Sequence, residues 1–196
     1  MNISDKLSLS RVLLAPVIFC LYFAHEFFPG LEKIAIIVII PILTVAELTD
    51  YFDGHMARKL NIVSDFGKIF DPLADVLLNL TLFLCFVLSG YMPAIIFLLI
   101  LYREFGINFL RLMAIKKGIA IGARKGGKVK TCLYFAAGAM SLLIEIFIRF
   151  EAFSEGTIHT FKIANLVLYC LTLVASYFSF LDYGLYFKKI LSSERK

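Results

Sequence analysis

Long apolar runs, broken by short polar segments, occupy most of the chain. An apolar run of about 20 residues can cross the hydrocarbon core of a bilayer as a helix. The pattern therefore predicts an all-α integral membrane protein with six transmembrane helices, and residues 1–196 are expected to form a single domain. The predicted spans are Leu9–Phe28, Ile34–Leu48, Leu73–Tyr91, Pro93–Ala114, Thr131–Phe150 and Ile163–Phe187.

Composition supports the membrane assignment. Hydrophobic residues make up 60% of the chain, charged residues only 18%, and the mean hydropathy is +0.86. A soluble domain is nearer half apolar and one quarter charged. The composition therefore argues against a soluble protein, and we expect a lipid bilayer, not nucleic acid, as the main surroundings.

The distribution of positive charge predicts how the spans are oriented. The net charge is +5, and fifteen of the 20 lysines and arginines flank one side of the predicted spans. Only Lys33, Arg149 and Lys162 flank the other side. Cytoplasmic loops are enriched in Lys and Arg, and an even number of spans returns the chain to the side where it began. Both termini are therefore predicted to be cytoplasmic.

Four aspartates stand close together in this apolar chain. Asp50 and Asp53 are three residues apart, whereas Asp71 and Asp75 are four apart, so each pair shares one helical face. The pairs lie at facing ends of the second and third spans and are expected to form one cluster. Each ionised side chain near a bilayer midplane costs about 2.5–3.5 kcal/mol. An all-oxygen cluster suits a hard divalent cation, so we expect Mg²⁺ or Mn²⁺ there.

Small and basic residues accompany the aspartates. Gly54 and Gly67 lack side chains, which would let a bulky ligand approach the backbone, and Ala57 is small for the same reason. Arg58 lies one turn beyond Gly54, where its guanidinium could hold a phosphate. These residues predict a phosphate-bearing ligand beside the cation.

Two polar connections are predicted on the cytoplasmic side. The first is predicted from Gly54 to about Phe70, and the second from Lys116 to Lys130. Pro72 is expected in the first turn of the third span, where its missing backbone donor costs nothing.

The fourth span contains Arg103, Glu104, Asn108 and Arg111. The two arginines are eight residues apart and share a helical face, so together they could clamp an anion. The alternative is structural: Arg111 reaches the cytoplasmic surface, and Arg103 pairs with Glu104 or with another helix.

The polar residues of the second and third spans match a known signature. The run D-x2-D-G-x2-A-R-x8-G-x3-D-x3-D resembles that of the CDP-alcohol phosphotransferases at every defined position. The matching residues are Asp50, Asp53, Gly54, Ala57, Arg58, Gly67, Asp71 and Asp75. The resemblance implies six transmembrane helices, usually a homodimer, and a two-metal site facing the cytoplasm. It also implies that an alcohol attacks a CDP-linked substrate and that CMP leaves.

A narrower resemblance covers nearly the whole chain. The opening N-I-S-D-K-L-S-L-S-R, the Arg103-Glu104 pair followed by Arg111, and G-K-V-K-T at Gly127–Thr131 are similar to bacterial phosphatidylglycerophosphate synthases. This similarity implies CDP-diacylglycerol as the donor, sn-glycerol 3-phosphate as the acceptor, and residence in a bacterial cytoplasmic membrane.

The resemblance also assigns roles. It implies that the four aspartates bind two Mg²⁺ or Mn²⁺ ions and that Asp75 is the catalytic base. The residues implied beside CDP-diacylglycerol are Gly54, Ala57, Arg58 and Gly67. Those implied to bind the acceptor phosphate are Arg103, Arg111, Lys128 and Lys130.

Other functions remain open from the sequence. A sister transferase would use inositol phosphate, serine, choline or another phosphatidyl lipid as acceptor, although the basic residues favour a phosphorylated one. A divalent-cation transporter would use the same aspartates to pass Mg²⁺. A structural membrane subunit would leave the aspartates without a purpose.

Overall fold

The computed structural model describes residues 3–59, 65–116 and 125–193, with side chains described over 8–46, 70–116 and 127–188. Across these ranges the chain is helical and contains no strand. The long helices are α1 Ile3–Tyr22, α3 Glu32–Lys59, α4 Asp65–Leu88, α5 Ala94–Lys116, α6 Lys125–Arg149 and α7 Glu155–Ser193. A short helix, α2 Ala24–Phe27, and a 3-10 turn at Pro29–Leu31 join α1 to α3. The all-α prediction is confirmed over the described ranges.

Four stretches are long and apolar enough to cross a membrane, judged over the described residues. They are Pro29–Ala46, Phe70–Leu88, Gly127–Arg149 and Glu155–Lys188. In α1 the apolar segment is shorter, Ser8–Tyr22, and α5 is interrupted by charged residues. The protein is therefore an integral membrane protein. The predicted six spans and cytoplasmic termini stay predictions.

Helices extend further into the polar segments than the sequence predicts. The connection expected from Gly54 to Phe70 is shorter, because α3 continues to Lys59 and α4 already begins at Asp65. The second connection is also shorter, since α6 begins at Lys125. Apolarity predicts only the lipid-crossing part of a helix, whereas backbone hydrogen bonding continues through polar residues.

Pro72 lies inside α4 and not in its first turn, because α4 begins at Asp65. The predicted position is therefore wrong. An interior proline removes one hydrogen bond to the preceding turn and crowds the carbonyl four residues earlier. The affected carbonyl, that of residue 68, lies in the turn just before Asp71.

Chain contacts divide the molecule into two compact units. The first comprises Met1–Cys85 together with Glu145–Ser154. In it α1 packs against α3. Ile18 and Tyr22 of α1 are fully buried, as are Ile36 and Ile39 of α3. Ala74 and Phe83 of α4 are buried as well, so the core of this unit draws on α1, α3 and α4.

The second unit comprises Phe86–Ile144 together with Glu155–Lys196. Its α5 packs along α7. The Tyr177 hydroxyl donates to the Leu99 carbonyl at 3.2 Å, and a Cβ added to Gly106 would lie 3.1 Å from the Phe180 ring. Later residues of α5 thus meet later residues of α7, so the two helices run in the same direction and approach closely at Gly106.

Candidate active site

Asp71 and Asp75 of α4 both contact α1. The Ser8 hydroxyl donates to Asp71 Oδ1, and Arg11 Nη1 forms a hydrogen-bonded ion pair with Asp75 Oδ1. Arg11 Nη2 also donates to the Ser8 oxygen at 3.2 Å. Because both aspartates meet the same helix, they share a face of α4, as their four-residue spacing predicts.

The two members of the Arg11–Asp75 pair differ in exposure. The Arg11 side chain is 7% exposed, whereas that of Asp75 is 45% exposed. The guanidinium is therefore fixed inside the unit, while the carboxylate remains accessible to a ligand. Arg11 adds a positive charge that the sequence does not predict beside the aspartates, and this charge reduces the repulsion between the carboxylates.

Ser8 and Arg11 are absent from the residues that the sequence assigns to the site. A usable signal was present: an arginine just inside an apolar span is a functional candidate by default. In the predicted charge pattern, however, Arg11 is one of the fifteen basic residues that flank the spans on one side. Its partner Asp75 is 64 residues away, a pairing that helical periodicity does not predict.

The other half of the predicted motif lies on α3 and early α4. Residues 50–58 belong to the α3 backbone and residue 67 to that of α4. The side chains of Asp50, Asp53, Ala57 and Arg58, and the surroundings of Gly54 and Gly67, lie outside the described residues. Among the described side chains there is no group of three or more His, Cys, Asp or Glu residues placed to hold a metal. Convergence of the four aspartates therefore stays a prediction.

A second polar cluster, which we call the Glu104 cluster, lies in the second unit. It comprises Arg103 and Glu104 of α5, Lys130 and Tyr134 of α6, and Ser176 of α7. Glu104 Oε1 accepts hydrogen bonds from Arg103 Nη1, Lys130 Nζ and the Tyr134 hydroxyl, each at 2.8 Å. Arg103 and Glu104 are each 4% exposed. One carboxylate oxygen thus gathers donors from two helices.

The Glu104 cluster also reaches α7. Arg103 Nε donates to the Ser176 carbonyl at 3.0 Å, and the Tyr134 hydroxyl lies 3.3 Å from Ser176 Oγ. Lys130 Nζ lies 4.3 Å from the centroid of the Tyr134 ring, within the range of a cation–π contact. Of the alternatives open from the sequence, Arg103 therefore pairs both with Glu104 and with another helix.

Arg111 and Lys128 are both more exposed than Arg103, and Arg111 is half-buried, as is Lys130. The Arg111 guanidinium carbon lies 5.7 Å from the Tyr183 ring centroid, and Lys128 is exposed. Arg103 and Arg111 both contact α7, in agreement with the shared face that their spacing predicts. The four predicted acceptor residues thus lie in one unit, and two of them, Arg103 and Lys130, contact Glu104.

Three buried polar atoms have no hydrogen-bond partner within the part of the chain that the structure describes. They are Asn108 Nδ2, Asn165 Oδ1 and Ser179 Oγ. Asn108 lies one turn after Glu104 on α5, and Ser179 lies one turn after Ser176 on α7. An unsatisfied buried polar group costs about 1–3 kcal/mol, so these two groups near the Glu104 cluster favour a hydrogen-bonding ligand or water.

The first unit contains another buried pair, Glu145 and Arg149 of α6. Arg149 Nε donates to Glu145 Oε1 at 2.6 Å, and the Tyr22 hydroxyl donates to Glu145 Oε2 at 3.0 Å. Arg149 also donates to the carbonyls of Glu32 and Tyr22, each at 2.9 Å. The charge pattern predicts that Arg149 is a flanking residue, but it is only 3% exposed. It instead ties the end of α1 and the start of α3 to α6.

Comparison with known proteins decides the family. The family model described as CDP-alcohol phosphatidyltransferase matches residues 1–178. The chain belongs to the CDP-alcohol phosphatidyltransferase family. The carboxylates held by α1 and the Glu104 cluster both lie within the matched region.

Several relatives of this CDP-alcohol phosphatidyltransferase carry a more specific name. The CDP-diacylglycerol–glycerol-3-phosphate 3-phosphatidyltransferase of Treponema pallidum is 36% identical over 189 residues, which cover 93% of this chain and 88% of that protein. The protein of the same name from Bacillus subtilis is 32% identical, covering 96% of this chain and 94% of that protein. A probable phosphatidylglycerophosphate synthase of Mycobacterium tuberculosis is 34% identical over 143 residues, which cover 73% of this chain and 66% of that protein.

Proposed function

We propose that the protein transfers a phosphatidyl group from CDP-diacylglycerol to sn-glycerol 3-phosphate, releasing CMP and giving phosphatidylglycerophosphate. The observation that carries this proposal is the similarity to two relatives of that name along nearly the whole chain, at 36% and 32% identity. The excess of positive charge around Arg103, Lys130 and Arg111 supports it, because a guanidinium or ammonium suits a phosphorylated acceptor.

The proposed enzyme has six spans, both termini in the cytoplasm, and an active site that opens to the cytoplasm of a bacterial membrane. The positive-charge asymmetry supports this orientation. A homodimer is proposed from the family resemblance. Donor acyl chains would stay in lipid while the nucleotide is reached from water.

The donor set fits a hard divalent cation. Asp71 and Asp75 offer carboxylate oxygens, and the 45% exposure of the Asp75 side chain leaves part of that carboxylate accessible to a cation. Asp50, Asp53, Asp71 and Asp75 are proposed to hold two Mg²⁺ or Mn²⁺ ions. When bound, such ions supply charge stabilisation to the transferring phosphoryl group and to the departing CMP.

Residues of the chain are proposed to bind the donor and to accept a proton. Gly54, Ala57 and Gly67 would lie beside the nucleotide, with Arg58 at its phosphates. Asp75 would accept the proton of the primary hydroxyl of glycerol 3-phosphate, and its 45% side-chain exposure supports access by that hydroxyl. The hydroxyl oxygen bonds to the phosphorus that bears diacylglycerol, and the bond from that phosphorus to CMP breaks. No covalent enzyme intermediate is needed.

The direct test is CMP release by the purified full-length protein in detergent with CDP-diacylglycerol, Mg²⁺ and a panel of acceptors. We expect activity with glycerol 3-phosphate, little with inositol phosphate, serine or choline, and loss of activity in EDTA. Turnover undiminished by EDTA would contradict the metal assignment. Metal uptake into vesicles without CMP release would instead indicate a transporter.

The Asp75→Asn variant tests the proposed base. A general base typically contributes about 10²–10⁴-fold to rate, so we expect kcat to fall by that order. The protein should still fold, because the amide oxygen of Asn can accept the Arg11 hydrogen bond and the position is partly solvated. Glu155→Gln, an exposed carboxylate at the start of α7, is the matched control. If Asp75→Asn works at near wild-type rate, the base is another group.

A further inference from the structure

Glu104 accepts more hydrogen bonds than one salt bridge requires. A single oxygen of this buried carboxylate receives Arg103 Nη1, Lys130 Nζ and the Tyr134 hydroxyl. Arg103 is then tied to α7 through the Ser176 carbonyl. Glu104 thus lies at the centre of contacts that join three helices of one unit.

The charges in the Glu104 cluster do not cancel. Arg103 and Lys130 contribute two positive charges and Glu104 one negative charge, which leaves one in excess. Arg111 of α5 adds another positive charge two turns further along the helix. An uncompensated buried cation is costly, so the cluster favours an anionic ligand. A carboxylate repels a phosphate, which excludes Glu104 itself as a phosphate ligand.

The contacts restrict where the two cations can lie. Lys130 has three N–H donors, one of which goes to Glu104, while the Tyr134 ring contacts the same ammonium. Arg103 is held at Nε and at Nη1. Both long side chains therefore lose rotamer freedom before any ligand binds. Fixing rotamer-rich side chains in advance lowers the cost of binding.

We propose that Glu104 is a positioning residue that holds Arg103 and Lys130 preassembled for the phosphate of the acceptor. This inference rests on the proposed function, because it concerns the phosphorylated acceptor of the same reaction. Glu104 would act through the two cations and would touch neither substrate.

A positioning role and a charge-neutralising role of Glu104 change acceptor binding in opposite directions. If Glu104 only cancels charge, removing its charge frees positive charge and strengthens binding of the acceptor phosphate. If Glu104 positions the cations, removing its charge releases their side chains and weakens that binding. The two roles therefore change the acceptor KM in opposite directions.

The test compares Glu104→Gln with wild type in the full-length protein in detergent, following CMP release. We expect the acceptor KM to rise about tenfold, equivalent to about 1.4 kcal/mol, and the CDP-diacylglycerol KM to stay within about twofold. Glu155→Gln should leave both unchanged. Calorimetric binding of glycerol 3-phosphate without donor should weaken by a similar factor.

A double-mutant cycle of Glu104→Gln with Lys130→Gln tests whether Glu104 acts on the acceptor through Lys130. If Glu104 acts through Lys130, the double variant should raise the acceptor KM by clearly less than the product of the two single effects. An acceptor KM that falls or stays constant in Glu104→Gln overturns the inference. Equal rises in the donor KM and the acceptor KM in Glu104→Gln would also overturn the inference. Full additivity of the two substitutions in the double-mutant cycle would overturn it too.

Glu104→Asp covers the case in which Glu104→Gln does not fold. Asp keeps the negative charge but is one methylene shorter than Glu. If Glu104 positions the cations, Glu104→Asp should raise the acceptor KM. If Glu104 only neutralises charge, the acceptor KM should not change. A wild-type acceptor KM in Glu104→Asp overturns the inference. Absence of CMP release by the wild-type protein with glycerol 3-phosphate would instead contradict the proposed function.

Discussion

Two buried arginine–carboxylate groups in the described part of the chain differ in charge balance. In the first unit, Arg149 and Glu145 carry one charge of each sign, and Arg149 makes its other hydrogen bonds to backbone carbonyls. In the second unit, Arg103 and Lys130 share the single carboxylate of Glu104.

This difference indicates which buried charges stabilise the fold and which are available to bind a ligand. Arg149 donates to the Glu145 carboxylate and to the backbone carbonyls of Tyr22 and Glu32, so its positive charge is balanced and its donors are used. The Glu104 cluster keeps an excess positive charge. One turn away, the buried Asn108 Nδ2 has no hydrogen-bond partner in the described region. We infer that the first network stabilises the fold and that the second binds an anion.

The largest expected effect is on stability in the Arg149 network. Arg149→Met leaves the Glu145 carboxylate buried without its cation, and breaking a buried pair typically costs about 3–5 kcal/mol. We expect a large fall in the thermal unfolding midpoint in detergent. Arg103→Met is the matched change in the other cluster and should cost less stability, because Lys130 and Tyr134 still contact Glu104. Equal losses of stability would break the comparison.

The next effect is on acceptor binding. A hydrogen bond to a charged group contributes about 1.5–3 kcal/mol, so Arg111→Ala should raise the acceptor KM about tenfold or more. The CDP-diacylglycerol KM should change far less. Lys162→Ala is the control, since Lys162 lies over the Tyr91 ring in the same unit. Steady-state kinetics with each substrate varied in turn gives the result, and equal effects on both substrates would refute the acceptor assignment.

Two tyrosines offer a smaller, matched comparison. Tyr22 donates to Glu145 and Tyr134 to Glu104, each through its hydroxyl. Tyr22→Phe should lower the free energy of unfolding by about 1 kcal/mol and leave both KM values unchanged. Tyr134→Phe should raise the acceptor KM a few-fold with a comparable loss of stability. The prediction fails if Tyr22→Phe alters the acceptor KM as strongly as Tyr134→Phe does.

The smallest effect is that of salt. Ions screen charges over a Debye length of about 10 Å at 0.1 M, so the acceptor KM should rise modestly with ionic strength. The unfolding midpoint should change little, because the Arg149 network is buried and closed. Kinetics and thermal unfolding across a KCl series measure both quantities. An acceptor KM independent of salt would argue against an electrostatic acceptor site.

The helices were largely predictable, whereas their ends were not. Each predicted apolar span overlaps one long helix in the described ranges, because burial in lipid requires both apolar side chains and internal backbone hydrogen bonds. The polar ends of α3 and α4 were not predicted, because hydropathy does not indicate whether a helix continues outside the lipid. Pro72 was misplaced for the same reason.

The site was predictable where contacts are local. The four-residue spacing of Asp71 and Asp75 predicts that they share a helical face. The eight-residue spacing of Arg103 and Arg111 predicts the same for that pair. The contacts of Ser8 and Arg11 with the α4 aspartates span 63 and 64 residues and depend on how α1 packs. Helical periodicity says nothing about such pairings between helices.

The Arg11–Asp75 contact has a practical consequence for engineering. The family signature begins at Asp50, yet one of its carboxylates already has its counter-charge 64 residues earlier, on α1. A chimera that transplants only the signature segment into another helical scaffold would import the acidic groups without the guanidinium that balances one of them. The smallest portable fragment of this centre therefore includes the opening turns of the chain.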